Sequence, residues 1–291
     1  MKLAEIVYRY DAAGALGRAR PTSATEARER LEAGSRAMAD LIESLAEGDG
    51  TARRIIPVDP RDLGIAAGAD AAPPQRPYAA VLGCSDARVP IELIFNEGPN
   101  DLFVVRVAGN GLGGEVLGSL TYAVDHLGAS LKLLVVLGHS GCGAVSTAVD
   151  IFLDPSAHLE LAGEHALRSL LDRLLVVVHA SSRRLAAEHG PEVSRRSGYR
   201  KALIESAIVL NAALTAHSIQ KEIAGHADPA SLRTAYGVYL LDDRQLWAPR
   251  GGSAQCDGLA YPPVDPAGFA AFAASVLRSE RITALLGAST P

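Results

Sequence analysis

The sequence predicts an α/β fold with a mostly parallel central sheet flanked by helices, and with helical extensions at both ends. Two patterns support this prediction. Short aliphatic runs alternate with amphipathic helical patterns between Tyr78 and Ala248, which is typical of β–α units that build a parallel sheet through right-handed crossovers. Polar segments containing glycine or a tight turn directly follow two of these runs, as expected at the carboxyl ends of parallel strands.

The N-terminal region, residues 1–77, is predicted to hold one helix and a loop that wraps the surface. Ser23 and Glu26 have the spacing of a capping box. Apolar residues then recur at steps of three and four as far as Gly48, which indicates one helix. Periodicity fades between Asp49 and Pro77, where prolines and glycines are frequent and favour a loop.

The core, residues 78–249, carries the alternating elements. Its predicted strands are Tyr78–Gly83, Leu102–Val107 and Lys132–Leu137, with helices that begin at Pro90, after the glycine-rich turn Gly109–Gly114 and near Ala144. Two long helices follow, near His165–Glu188 and Tyr199–Ala224, and then a strand–turn pair formed by Thr234–Leu240 and Gln245–Ala248. Residues 250–291 are predicted to form a loop and one helix, Gly268–Leu286. We expect one elaborated domain, because neither end shows a complete core.

Composition narrows the class of function. The chain has 291 residues, a formal charge of −5 and 48% hydrophobic residues, so it is globular and not a disordered segment. Without a basic excess there is no reason to expect a nucleic-acid partner. The aliphatic runs are too short to span a bilayer, and the first residues lack the layout of a signal peptide. The expected location is the cytoplasm.

The ends of the first and third core strands carry residues with metal-ligand chemistry. Cys84 and Asp86 follow one strand, and His139 and Cys142 follow the other. Because parallel strands end at the same sheet edge, we expect these residues to meet. Two thiolates, an imidazole and a carboxylate suit tetrahedral zinc. Two other interpretations stay open: each cysteine as a buried filler, and a nucleophilic Cys142–His139 pair.

Arg88 gives Asp86 a second possible partner. A carboxylate bound to the metal closes the fourth coordination position, whereas a carboxylate held by Arg88 through a two-pronged hydrogen bond leaves that position for water. Asp86 therefore has two possible states, one inert and one catalytic. An ordinary local ion pair is the plainer alternative. The third cysteine, Cys256, lies outside this motif and is interpreted as a spare thiol.

Three segments together resemble the β-class carbonic anhydrases. They read Cys-Ser-Asp-Ala-Arg-Val from Cys84, Phe-Val-Val-Arg-Val-Ala-Gly-Asn from Phe103 and Leu-Gly-His-Ser-Gly-Cys-Gly-Ala from Leu137. The resemblance implies reversible hydration of carbon dioxide to bicarbonate and a proton. It implies zinc held by Cys84, His139 and Cys142, with Asp86 and Arg88 as the catalytic pair acting beside a zinc-bound hydroxide.

The resemblance also implies a substrate pocket and an assembly. Gln75 matches a glutamine that binds bicarbonate, while Phe103 and Tyr122 match apolar walls of the pocket. In the family these groups commonly come from the neighbouring subunit, which implies a homodimer or a higher homo-oligomer. Packing roles remain open for Phe103 and Tyr122, since aromatic residues on strands and helices usually pack.

The sequence departs from the family at a few positions. Ala87 stands where the family usually has Ser or Thr, and Val107 stands where it often has Asn. Some bacterial members hold an inhibitory bicarbonate with Trp, Arg and Tyr. Arg106 and Tyr122 match that pattern, but Val81 stands at the Trp position, so we expect no regulatory site of that type. Two alternative functions stay open: a hydrolase of carbon disulfide or carbonyl sulfide with the same fold, and a catalytically silent protein with structural zinc.

Overall fold

The structure, a computed structural model, describes residues 3–11, 18–47, 51–64, 72–156, 165–227, 231–249 and 258–287. In these residues the strands are β1 Leu3–Tyr10, β2 Thr51–Val58, β3 Ala79–Gly83, β4 Leu102–Arg106, β5 Leu133–His139, β6 Arg233–Tyr239 and β7 Leu246–Trp247. The helices are α1 Ala24–Glu47, α2 Ile91–Ile94, α3 Gly114–Leu127, α4 Gly143–Leu153, α5 His165–His189, α6 Tyr199–Glu222, α7 Pro266–Arg278 and α8 Glu280–Gly287.

Five strands form the central sheet, in the order β4-β3-β5-β6-β7. The first four are mutually parallel, and β7 pairs antiparallel with β6 after the turn predicted at the sheet edge. Every residue of β3 and β5 is buried, which is why both strands read as continuous aliphatic runs. The predicted α/β class with a mostly parallel sheet is confirmed.

Alternate residues of the sheet enter two separate cores. Ala80 and Leu82 pack with the helices α3 to α8 on one face, whereas Ala79 and Val81 pack with α1 and α2 on the other. Successive side chains of a strand point to opposite faces, so one short strand serves both cores. The sheet is thus covered on both sides, and its polar chemistry is confined to the strand ends.

The N-terminal region differs from the prediction. Besides the predicted helix, this region contains two strands that were not predicted, β1 and β2, which pair in parallel with Leu3 opposite Thr51. Neither strand alternates polar and apolar residues along its sequence; β1 is mostly exposed, and β2 fully buries only Ile56 and Val58. Between them, α1 occupies the predicted helix, and Ser23 Oγ accepts a hydrogen bond from the Glu26 amide (3.2 Å).

A buried ionic cluster ties this region to the core. The Glu97 side chain is fully buried and accepts hydrogen bonds from Arg18 (2.7 Å), Arg30 (2.5 and 3.0 Å) and the Tyr78 hydroxyl (2.8 Å). Burial and the neighbouring Glu97 raise the pKa of Tyr78 well above its ordinary value, which keeps the phenol protonated as the donor. Each charge therefore has the partner that burial requires.

The C-terminal region also differs in one respect. The single helix predicted over Gly268–Leu286 is two helices, α7 and α8, separated at Ser279, whose backbone is extended (φ −60°, ψ 148°). Asp265 caps α7 by accepting a hydrogen bond from the Gly268 amide (2.7 Å). The apolar pattern continues through the break because both helices pack on the same core, so periodicity alone did not reveal it.

The predicted long helix near Tyr199–Ala224 is present as α6, Tyr199–Glu222. Among the described residues, the stretch Tyr199–Gly225, which includes α6, is the one helix long and apolar enough to cross a membrane. Most of its apolar stretch is buried inside the protein. It packs against α5, α8, β5 and β6, which is the behaviour of a core helix in a large α/β fold.

Candidate metal centre

Three side chains from two neighbouring strand ends converge on one point. Gly83 lies opposite Leu137 in the parallel pairing of β3 and β5, so Cys84 leaves β3 beside His139, the last residue of β5. The Sγ atoms of Cys84 and Cys142 are 3.9 Å apart, and these atoms and a ring nitrogen of His139 lie within 4.8 Å of one another. All three residues are buried. The sequence prediction that these loops meet is confirmed.

The donor set fits zinc. Two sulfurs on a tetrahedral zinc at about 2.3 Å would lie roughly 3.8 Å apart, close to the observed 3.9 Å. His139 Nδ1 lies 3.0 Å from the Ser140 carbonyl oxygen, and this contact holds the proton on Nδ1 and leaves the Nε2 lone pair for a metal. Among the described residues, the buried Nε2 has no hydrogen-bond partner. An orphaned ring nitrogen beside two thiols is what a metal centre requires.

The two thiols are electrostatically unequal. The Cys142 thiol, His139 and the Gly109 amide, which lies 3.3 Å from Cys84 Sγ, together lower the pKa of Cys84. The neighbouring Cys84 sulfur and burial raise the pKa of Cys142. The lowered pKa of Cys84 favours the thiolate form, which is the form that binds a cation.

Asp86 points at Arg88. Arg88 donates to Asp86 Oδ1 from Nε (3.0 Å) and from its backbone amide (2.9 Å), and to Oδ2 from Nη2 (2.7 Å). These bonds hold the pKa of Asp86 well below its usual range. Asp86 Oδ2 lies 3.7 Å from His139 Nε2, so the carboxylate borders the three-donor cluster without belonging to it. Of the two states left open by the sequence, the structure contains the Arg88-paired one.

Arg106 supports the loop after β3 in a way that the sequence interpretation missed. It lies opposite Gly83 in the pairing of β4 with β3 and donates to the carbonyl oxygens of Cys84 (2.9 Å) and Asp86 (2.6 Å). The resemblance suggested an anion ligand for this arginine in some relatives. In this chain it binds the backbone that carries a metal ligand and the acid. The parallel pairing of β3 with β4 places Arg106 opposite Gly83, next to Cys84, and this register is the signal that could have predicted its role.

The turn between His139 and Cys142 is anchored by distant residues. Gly141 adopts φ +61°, a conformation that favours glycine. The Ser140 amide donates to the Tyr239 carbonyl oxygen (3.0 Å), and the Gly141 amide donates to Glu205 Oε1 (2.8 Å). Cys142 precedes the first residue of α4 and its carbonyl accepts from the Ser146 amide (2.8 Å). The sequence analysis did not identify Glu205, since nothing local links it to the turn.

The residues that the resemblance assigns to the substrate pocket do not line the metal centre of this chain. Exposed Gln75 and half-buried Phe103 line the same surface groove of about 420 Å³, together with Asn100. Among the described residues, that groove is lined by none of the three donors. Tyr122 is 49% exposed on α3 and stacks on His126 at 4.4 Å between ring centroids. Cys256 lies outside the described residues.

The fold and the site define a metalloprotein class: a parallel α/β sheet with a Cys/His/Cys centre at its carboxyl edge and an Asp–Arg pair beside it. Comparison with known families identifies which metalloprotein family this is. A family model described as carbonic anhydrase matches residues 79–227, about half of the chain. That segment includes all three donors, Asp86 and Arg88, and leaves Gln75 outside.

Relatives from two mycobacteria agree with the family model. Carbonic anhydrase 2 of Mycobacterium tuberculosis is 36% identical over 180 residues, which are 62% of this chain and 75% of the relative. A carbonic anhydrase of Mycolicibacterium smegmatis is 46% identical over 103 residues, 35% of this chain and 48% of the relative. The solved β-carbonic anhydrase CcaA is 22% identical, covers 77% of this chain and 91% of its own, and has a TM-score of 0.48. The chain belongs to the β-class carbonic anhydrase family.

Proposed function

We propose that this protein catalyses the reversible hydration of carbon dioxide to bicarbonate and a proton at the Cys84/His139/Cys142 centre. The observation that carries the proposal is the partner of Asp86. Its carboxylate is engaged by Arg88 and stands outside the three-donor cluster. A structural zinc is closed by four protein ligands, whereas a catalytic zinc has three and keeps one position for water or substrate.

Cys84, His139 and Cys142 would hold the zinc. When bound, zinc supplies the Lewis acidity that turns water into a nucleophile near neutral pH. The buried donor atoms and the low pKa of Cys84 support cation binding at this point. The remaining chemistry is the task of the protein's own side chains.

Asp86 is proposed as the hydrogen-bond acceptor that orients the attacking group. Because Arg88 keeps the carboxylate ionised, Asp86 can accept a hydrogen bond and has no proton to donate. Its Oδ2 atom borders the donor cluster, 3.7 Å from His139 Nε2. A fixed acceptor there directs a lone pair of the attacking oxygen towards carbon dioxide, which is a positioning role.

Arg88 is proposed to decide whether the centre is open or closed. Its side chain is 62% exposed and its contacts with Asp86 are local, so the arginine can leave without breaking a core. Asp86 would then be free to become a fourth metal ligand and close the centre. The proposed open state needs both partners of the Asp86–Arg88 pair.

Gln75, Phe103 and Tyr122 are proposed to form the substrate pocket of a neighbouring subunit. Gln75 and Tyr122 are exposed, and the groove that contains Gln75 and Phe103 is separate from this chain's own donors. Exposed groups of this kind suit an interface in which each subunit completes the partner's site. We therefore propose a homodimer or a higher homo-oligomer. We also propose a cytoplasmic location, because the centre depends on two free thiols.

A stopped-flow hydration assay on zinc-loaded protein tests the proposal. We expect carbon dioxide hydration well above the buffer rate, with one zinc per chain by elemental analysis. Carbon disulfide and carbonyl sulfide serve as competing substrates in parallel. Stoichiometric zinc without hydration would identify a structural metal, and faster turnover of either sulfur compound would identify a different hydrolase.

A further inference from the structure

The turn that carries two metal ligands is connected to the C-terminal helix through one carboxylate. Glu205, on α6, accepts the Gly141 amide at Oε1 (2.8 Å). Its other oxygen, Oε2, accepts from Nε and Nη2 of Arg281 on α8, both at 3.3 Å. The chain of contacts therefore runs from α8, through α6, to the residue between His139 and Cys142.

Glu205 needs the cation that α8 provides. Only 9% of the residue is exposed, and a carboxylate removed from water is costly unless it is paired and hydrogen-bonded. The Gly141 amide satisfies one oxygen but brings no formal charge. Arg281 neutralises the carboxylate and fixes the direction in which Oε1 faces the turn.

Arg281 is itself held in place. It also donates to Asp242 (3.4 Å) and lies over the Trp247 ring at 6.0 Å. Ile282 on α8 is buried in the core. At Gly198 the helix approaches so closely that an added Cβ would lie 1.8 Å from the Leu285 carbonyl oxygen. These contacts give α8 a fixed seat beside the turn.

We propose that α8 is a positioning element of the metal centre: Arg281 fixes Glu205, and Glu205 fixes the Gly141 turn and with it the His139 and Cys142 ligands. The C-terminal extension then slows the release of zinc, although none of its described residues belongs to the donor cluster. This inference rests on the metal centre of the proposed function. Its test reads zinc release, which needs no turnover, so a failure of hydration and a failure of this link are distinguishable.

The first test is the rate of zinc release from the full-length, zinc-loaded protein into excess EDTA, followed with a chromophoric chelator. Removing the charge by Arg281→Met is expected to accelerate release about tenfold, as for other supporting contacts of metal ligands. Arg278→Met is the matched control, because Arg278 lies on the surface of the same extension and pairs with Glu188 on α5. The control is expected to release zinc at the wild-type rate.

Two further variants separate positioning from general destabilisation. Arg281→Lys retains a cation and is expected to stay within about threefold of the wild-type rate, even if the Met variant folds poorly. In a Glu205→Gln background the carbonyl acceptor for Gly141 is retained but there is no charge to neutralise, so adding Arg281→Met is expected to change release less than twofold. The proposal is overturned by a wild-type rate in Arg281→Met, by equal acceleration in Arg278→Met, or by an undiminished effect in the Gln background.

Discussion

The two halves of the metal centre are built in opposite ways. In the loop from Cys84 to Arg88, Arg106 holds the backbone, but the Asp86 side chain is held by Arg88 only two positions away, and Arg88 is mostly exposed. The turn from His139 to Cys142 is held by residues far along the chain, Tyr239 and Glu205 among them.

This difference separates the three metal donors, which are held in place, from the Asp86 carboxylate, which is held only locally. The turn contributes two of the three metal donors and has long-range hydrogen bonds on successive amides, so it has little freedom. The loop contributes Cys84, which the Gly109 amide and Arg106 hold in place, and the acid, whose only side-chain restraints are local. The carboxylate can therefore change partners while all three donors stay where they are.

The largest effect is expected in the fixed half. His139→Ala removes a buried donor whose Nε2 has no replacement among the described neighbours. Zinc content should fall from one per chain to below about 0.1, and hydration should fall to the buffer rate, because two sulfurs alone leave the centre incomplete. Elemental analysis and stopped-flow assays measure both. His226→Ala, at an exposed histidine paired with Asp125, is the control, and retained zinc in His139→Ala would contradict the site.

In the mobile half, activity and zinc should separate. Asp86→Ala removes the proposed acceptor, and Arg88→Ala removes the group that keeps it off the metal. Hydration should fall about 10²-fold in each, the loss that a misplacement of about 1 Å at the reacting atoms can cause, while zinc content stays at the wild-type level. Wild-type turnover in Asp86→Ala would refute the mechanism. Loss of zinc would instead show that the loop also anchors the donors.

A smaller effect is expected where the loop is supported from outside. Arg106→Leu removes two charge-assisted hydrogen bonds, to the carbonyl oxygens of Cys84 and Asp86. Hydration should decrease about tenfold, equivalent to roughly 1.4 kcal/mol in the barrier, with zinc retained. Steady-state kinetics and metal analysis on one preparation measure this. An unchanged rate would mean that the loop keeps its shape by itself.

The smallest effect concerns the helix that follows the turn. Asp150 on α4 accepts two hydrogen bonds from Arg200 on α6 (2.6 and 2.7 Å), which lower the pKa of Asp150 below its ordinary value. The pair therefore stabilises the fold above the unfolded-state pKa of about 3.9, and this contribution is lost as the pH falls through the lower folded-state value. Both side chains are about half exposed, so less than about 1 kcal/mol is expected.

Urea unfolding of Asp150→Asn at pH 7 and in acid checks this sign. The free energy of unfolding should be slightly below that of the wild type at pH 7, and the two proteins should converge in acid. A difference that is constant with pH would show that the pair acts through packing instead of charge.

The parts of the site that the sequence predicted are those in which chemistry and strand ends coincide. Cys84, His139 and Cys142 each stand at the end of an aliphatic run, so a parallel sheet was enough to bring them together. Glu205 lacked such a signal, because its link to Gly141 depends on how α6 packs across the sheet.

The same reasoning explains the misread parts of the fold. The pairing of β1 with β2 joins two strands of mixed polarity on either side of a long helix. No local pattern marks that partnership. The break at Ser279 ends one helix and begins the next without interrupting the apolar stripe. A periodicity argument therefore does not detect it.

Gly198 shows how far the catalytic neighbourhood extends. Even one methyl group there would push the main chain of α8 outward, since the Leu285 carbonyl occupies that space. A mutagenesis screen scored on enzyme function would consequently return this remote glycine beside the true ligands. Its sensitivity would come from steric crowding between two helices, with no reactive group at the position itself.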